Sequence, residues 1–175
     1  MIILQTIEMK PFDHEKFIGY ISEVSAQTIL MQFPVAPLVH PFYYHGSVYL
    51  SGSVGSFVVI EGTERGFLGR LIEVSLPQGE RKEITDQNTH MESDEFHPVG
   101  RIELLAIFNV YAPEKIEKTI SRYPAIGSKV YSCSDEQISL YVAKFGEKKS
   151  EGTIPYAEIG KLTSNDAVCN VSINF

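Results

Sequence analysis

Val99-Gly100-Arg101-Ile102-Glu103-Leu104-Leu105-Ala106-Ile107-Phe108-Asn109-Val110 is the stretch on which the fold turns. Ile102, Leu104, Ala106, Phe108 and Val110 alternate strictly with Arg101, Glu103, Leu105, Ile107 and Asn109, the period-two signature of a strand. Leu105 and Ile107 on the second face predict cover on both sides near its middle. The strand before it places Leu68, Ile72, Val74 and Leu76 on one face, with Arg70 the exception. Nearer the N-terminus, Tyr20, Ser22 and Val24 alternate, and so do Ile29, Met31 and Phe33. The parity flips across Ser25-Ala26-Gln27-Thr28, which predicts a hairpin turn or a bulge there.

Other segments extend the same reading. Strand character resumes from Gly46 to Ile60. Gly52, Gly55, Gly62, Gly66 and Gly69 punctuate this region, and glycines between short strands suit the bends of a closed barrel. Residues 34–45 carry three prolines, which break a regular ladder. Residues 77–97 are acidic, lack periodicity and read as a long exposed loop. Two short helices are expected. One opens at Pro113 with Ile116 and Ile120 four apart. The other has the capping-box spacing of Ser134 and Gln137, then Ile138, Val142 and Phe145, with Gly146 as its stop. Gly127–Ser132 lies between them as a short strand, and Glu158–Phe175 supplies two more. The fold class is mainly β: a small closed barrel of six to seven strands with two short helices near the C-terminal third.

Composition sets bounds on function. The 175 residues are 43% hydrophobic, enough for one good core and too apolar for a disordered chain. No apolar run approaches the ~20 residues of a membrane helix. Met1-Ile2-Ile3-Leu4-Gln5 lacks the basic region and cleavage site of a secretory signal. Fifteen Lys+Arg against 22 Asp+Glu give a net charge of −7, a poor balance for gripping phosphate backbones. Cys133 and Cys169 make neither a disulfide framework nor a four-ligand zinc site. A cytoplasmic location without membrane contact is expected.

Chemistry-bearing motifs are few. There is no G-x-S-x-G, and Ser51, Ser53 and Ser56 read as turn residues in a glycine-rich bend. His40 and His45 flank an aromatic run. His90 and His97 lie in the acidic loop, which lacks the rigid second shell a metal site needs. Gly160-Lys161-Leu162-Thr163 resembles the end of a Walker A loop. Pro155 stands where the first glycine belongs, however, and Leu162 where the magnesium-binding hydroxyl should be. Lys129-Val130-Tyr131-Ser132 is faintly similar to the R-x-Y-S flavin signature of reductase barrels but lacks the arginine. Pro41-Phe42-Tyr43-Tyr44-His45 stands out. Three consecutive aromatics cannot all face one core, so at least one reaches the surface. Phe42, Tyr43 and Tyr44 are therefore candidates for a protein interface, or for a plug at one end of the barrel.

The order of segments resembles the N-terminal barrel of HerA-type ATPases. Ile18-Gly19-Tyr20-Ile21-Ser22-Glu23-Val24 is similar to the family's opening strand. Val54-Gly55-Ser56-Phe57-Val58-Val59-Ile60-Glu61 is similar to its V-G-[SD]-[YF]-V-x-[IV] strand, and Leu68–Val74 to the continuation of it. Val99–Ala106 resembles the long central strand. Tyr123-Pro124-Ala125-Ile126-Gly127-Ser128-Lys129-Val130-Tyr131-Ser132-Cys133-Ser134-Asp135-Glu136 resembles the segment before the short helix, and Ile159–Leu162 an I-G-x-L strand. The likeness covers most of 18–175 and departs from the family at 34–45 and 77–97.

This resemblance implies a HerA–ATP synthase (HAS) barrel, a single domain over 1–175 that precedes a P-loop core absent from this chain. It implies that the chain carries no catalytic, cofactor-binding or metal residue. ATP and magnesium would belong to the missing core, and DNA would be engaged only through that motor. The implied parent is a hexameric DNA translocase or helicase. Its barrel ring assembles subunits and docks a nuclease such as NurA, or a sirtuin-type NADase or other effector in antiviral defence. The chain alone would then hydrolyse nothing. Exposed Arg70, Arg101, Glu73 and Glu103 could pair between subunits, though such pairs contribute only about 0–1 kcal/mol each. The alternative is a small flavin- or nucleotide-binding β-barrel enzyme. A third reading, an RNA-binding barrel like those of translation factors, is disfavoured by the acidic charge.

Overall fold

A computed structural model describes residues 10–26, 28–44, 46–49, 52–78, 96–146, 156–161 and 168–172. In chain order these form β1 (Phe17–Val24), β2 (Ile29–Gln32), β3 (Phe42–Tyr44), β4 (Ser47–Tyr49), β5 (Phe57–Ile60), β6 (Arg65–Ser75) and β7 (Val99–Asn109). Then follow β8 (Ala112–Glu117), β9 (Lys129–Ser132), α1 (Asp135–Gly146), β10 (Tyr156–Lys161) and β11 (Val168–Ser172), with 3-10 turns at His14–Lys16 and Ala36–Val39. The main sheet runs β2-β1-β9-β5-β6-β7, and β7 returns to β2, so six antiparallel strands close on themselves. The closing seam pairs Ile29 with Ile102, Leu30 with Arg101, Met31 with Gly100 and Gln32 with Val99. β8 joins the far half of β7 as a seventh strand. The closed, mainly β class read from the sequence is the observed one.

Two clusters form the core. Ile18, Ile21, Met31, Phe33, Val58, Ile60, Leu71, Ile102 and Ile107 are among those filling the barrel interior. Val59, Leu68, Ala106, Phe108, Cys133 and Ile138 pack on the outside of the wall, where α1 covers it. At the seam, a Cβ on Gly19 would sit 2.3 Å from the Gln32 carbonyl oxygen and 2.7 Å from Met31 Cε. Only glycine allows β1 and β2 to approach that closely.

Bulges correct the strand faces expected from alternation. In β7 the pairing jumps from Leu68↔Ala106 to Gly69↔Leu104, which leaves Leu105 without a partner on β6. Ile102 and Leu104 therefore belong with Ile107 in the interior, while Ala106 and Phe108 face outward under α1. Expecting one face from Ile102 to Phe108 missed this change. A second bulge at Ile72 sends Leu68 and Val74 to different clusters. A third, at Ser22, turns both Ile21 and Val24 toward the interior, and a register shift at Ile18 lets Ile18 and Ile21 share that side while Tyr20 stays exposed. Each extra residue bends its strand, and a six-stranded barrel needs such bends to close.

Of the two expected helices, the C-terminal one forms. The Gln137 N–H donates to Ser134 Oγ at 3.3 Å, and Gln137 Oε1 accepts from the Ser134 N–H at 2.9 Å, a reciprocal capping box. The helix expected from Pro113 is instead β8. The Tyr111 N–H donates to Asn109 Oδ1 at 2.9 Å, and the Val110 N–H donates to the Glu64 carbonyl at 3.0 Å. This side-chain turn reverses the chain. The following residues run back along β7, with Ile116 opposite Phe108 and Arg65 bonded to Glu117 at 2.6 Å. Ile116 joins the outer cluster and Ile120 the interior one, so the two never share a helical face.

The parity flip at 25–28 is the β1–β2 turn. Ser25 Oγ accepts from the Thr28 N–H at 2.9 Å, and the Ser25 N–H donates to the Thr28 carbonyl at 2.8 Å. The final two strands pair as β10 and β11. Most of the acidic loop, 79–95, lies outside the described residues, as do Ser51, His45, His90 and the ends of the last hairpin. Among the described residues no helix is long and apolar enough to cross a membrane.

Candidate functional site

The proline-rich stretch divides into two parts. Its 3-10 turn at Ala36–Val39 is a plug: Ala36 is buried, and Leu38 and Val39 pack on the interior cluster beside Phe33. Pro37 and its neighbours suit a turn because proline fixes φ without needing a donor. Beyond the plug, the chain forms a small hairpin that has no strand partner in the barrel sheet. β3 and β4 pair Phe42 with Tyr49, Tyr43 with Val48 and Tyr44 with Ser47. Gly46 takes φ +82° in the connection, a left-handed conformation that favours glycine.

Tyr43 is 81% exposed and Val48, directly opposite, 52% exposed. The side chains of Phe42 and Tyr44 lie outside the described ones. Proline breaks the barrel ladder here, as read from the sequence, yet Phe42–Tyr44 still forms a strand, because a local hairpin needs no barrel partner. A phenol and an isopropyl group thus lie side by side on the exposed face of the two-stranded ribbon.

A part-buried polar network lies elsewhere, and sequence reasoning did not find it. Tyr131 on β9 is 1% exposed, and its hydroxyl donates to Glu61 Oε2 at 2.6 Å. His14 Nδ1 lies 3.3 Å from the Tyr131 hydroxyl oxygen, a hydrogen bond when Nδ1 carries the hydrogen. Burial, then the bond to Glu61, pushes the Tyr131 hydroxyl well above the usual tyrosine range. This is opposite to what a nucleophile or general base would need. Phe12 stacks on the Tyr131 ring at 5.9 Å, and Gln137 Nε2 donates to the Pro11 carbonyl at 2.8 Å. Together these contacts strap residues 11–16 across the wall. Lys16 is buried with its Nζ 3.6 Å from Asp13 Oδ2. No periodicity marked this strap in the sequence.

The remaining candidates disperse. In Lys129-Val130-Tyr131-Ser132, the three residues after the lysine are buried in the wall, with Lys129 outside. Gly160 and Lys161 lie on β10, and Leu162 and Thr163 lie outside the described residues. Ser56 closes a turn through its N–H to the Ser53 carbonyl at 3.1 Å. Burial pushes the Cys133 thiol up, and Cys133 Sγ lies 3.6 Å from Gln137 Oε1. No group of three or more potential metal ligands occurs among the described residues. Arg101 Nε and Glu73 Oε2 pair at 3.3 Å across β6 and β7 of one barrel.

Fold and surface thus define a closed antiparallel barrel with a polar strap along its wall and a separate two-stranded aromatic ribbon with Tyr43 exposed. No family model matches the chain, and no curated protein matches it.

Proposed function

We propose that this barrel is an assembly and partner-docking module of the kind found at the N-terminus of HerA-type hexameric ATPases. On this reading a motor core outside residues 1–175 binds ATP, magnesium and DNA. The barrel gathers subunits and receives an effector protein, a nuclease or an NADase. The observation that carries the reading is the β3–β4 ribbon, which stands outside the barrel sheet with Tyr43 and Val48 exposed in register. The six-stranded closure and the order of segments support it, and so does the −7 charge, which suits a protein partner better than a phosphate backbone. In a hexamer six such ribbons would turn a modest contact into a strong one.

The test uses the complete reading frame. A Walker A loop encoded downstream of Phe175 is expected, with a ring visible by mass photometry. In that protein, Phe42→Ala/Tyr43→Ala/Tyr44→Ala is expected to weaken co-elution with the effector and leave ATP hydrolysis intact. ATP turnover by residues 1–175 alone, or a frame that encodes no P-loop, would overturn the proposal. Unchanged co-elution would remove the ribbon from the interface.

A further inference from the structure

The strap over residues 11–16 crosses the strands of the wall rather than following them. His14 meets Tyr131 on β9. The Phe12 ring lies 5.9 Å from that of Tyr131 and 6.1 Å from that of Phe108 on β7. The Pro11 carbonyl accepts from Gln137 Nε2 of α1 at 2.8 Å. Followed toward the N-terminus, the chain therefore passes from β9 across the wall to β7. Ile116 of β8 pairs with Phe108, so β8 is the next strand on that course.

An apolar slot lies there, between β8 and α1. Val59, Leu68 and Phe108 form its floor and are buried, whereas Pro113, Ile116 and Leu140 are half-buried at its sides. Gln137 also lines it, but its amide is already engaged: Oε1 accepts from the Ser134 N–H at 2.9 Å, and Nε2 donates to Pro11. The lining thus favours an apolar occupant. The slot is narrow, about 20 Å³, little more than one water requires. It admits the end of one unbranched side chain, and the rest of an occupant must lie over the half-buried rim.

Met1-Ile2-Ile3-Leu4-Gln5-Thr6-Ile7-Glu8-Met9 precedes this point in the chain and lies outside the described residues. Ile2, Ile3, Leu4, Ile7 and Met9 are apolar. From Phe12 to Met9 is three residues, a reach of about 10 Å, against about 5 Å between neighbouring strands. The tether is long enough for Met9 to pass Phe108 and arrive at Ile116. Lys10 is exposed, and alternation along an extended segment sets Met9 and Ile7 on the side opposite Lys10 and Glu8.

We propose that this slot is the docking site of the chain's own N-terminal segment, with the Met9 side chain inserted between Ile116 and Leu140 and Ile7 laid over the rim. Methionine suits the slot because it is unbranched and fills irregular gaps. A short tether holds the segment at an effective concentration in the millimolar range, so a weak apolar contact suffices and a second copy of the chain competes poorly. The segment continues the strap that Phe12 and Gln137 begin and covers the outer cluster beside α1.

The complete chain, 13C-labelled at its methionine, isoleucine and leucine methyl groups, tests this by nuclear Overhauser spectroscopy. Contacts are expected from the Met9 ε-methyl to the methyls of Ile116 and Leu140. Met9→Ser/Ile7→Ser should abolish them and shift the Ile116 and Leu140 signals, while those of Ile18 and Leu71, inside the barrel, stay in place. Amide exchange at Ile138, whose N–H donates to the Ser134 carbonyl at 3.0 Å, should quicken about tenfold in that variant, the effect of uncovering part of one apolar side chain. Leu140→Ser, on the receiving side, should release the Met9 methyl signal toward its position in the urea-unfolded chain. A Met9 methyl without contact to either residue, or Ile116 and Leu140 signals that the double substitution leaves unchanged, would overturn the proposal. So would contacts found only between labelled and unlabelled chains in a mixed sample.

Discussion

Replacing Tyr131 by Phe removes one oxygen from the barrel wall and leaves the ring. That hydroxyl donates to Glu61 Oε2 at 2.6 Å and lies 3.3 Å from His14 Nδ1. A hydrogen bond to a charged group contributes about 1.5–3 kcal/mol. Glu61 is half-buried, so water can take over part of what its carboxylate loses, which places Tyr131→Phe near the low end, about 1.5–2 kcal/mol. The contacts with Phe12 and Phe17 stay with the ring. For a domain of this size the loss corresponds to a fall of about 3–8 °C in Tm. The pH dependence separates the hydroxyl from packing. Burial and Glu61 hold the folded pKa above the ordinary value of 10.0. The folded state therefore keeps a proton that the unfolded chain releases above about pH 10. The stability this represents is complete below that pH and is lost as pH rises further. The phenylalanine variant has no such proton, so the advantage of the wild type should be flat from about pH 7 to 9 and close above about pH 10. Urea unfolding followed by far-ultraviolet circular dichroism across this range reads both quantities. Equal stability at neutral pH, or a gap unchanged at about pH 11, would refute the buried Tyr131–Glu61 bond.

Gly19→Ala brings a methyl group to 2.3 Å from a backbone oxygen that cannot rotate away. It should cost about 3 kcal/mol, the upper end for overpacking, read as a lower urea midpoint; a loss below about 1 kcal/mol would mean that β1 and β2 are not so closely apposed. At the start of α1, the Glu136 N–H and then the Ser134 hydroxyl hold the Glu136 carboxyl below the usual range. A lowered folded pKa adds stability above the unfolded value, and that stability is lost as pH falls through the folded one. Glu136→Gln should therefore cost about 0.3–1 kcal/mol at neutral pH and nothing once acid has protonated the wild-type carboxyl. A pH-independent difference in Tm would contradict this.

The barrel was legible because burial imposes period two on strands, and Ile29, Met31 and Phe33 follow it without interruption to the interior. Parity failed wherever closure demanded a bulge. An extra residue at Ser22, Ile72 or Leu105 leaves no local mark in the sequence, since its cause is the curvature of a sheet that returns to its own first edge. Pro113 misled for a related reason. A proline suits the first turn of a helix as well as a strand residue with no donor to give, and what decided between them was Asn109, which reverses the chain three residues ahead of the start of β8. The capping box of α1 was legible because its partners are only three residues apart. The strap at Tyr131 was not, because it joins residues 117 apart.

Closure also determines where such a chain can recognise anything. A ring of six strands hides its edges, and here isoleucine, phenylalanine and methionine side chains fill its interior. Recognition must then use what closure leaves over. The plug at Ala36–Val39 seals one place and ends in a ribbon that no barrel strand pairs. The ribbon offers side-chain area around Tyr43. Truncating Tyr43 should therefore weaken any partner that relies on apolar contact.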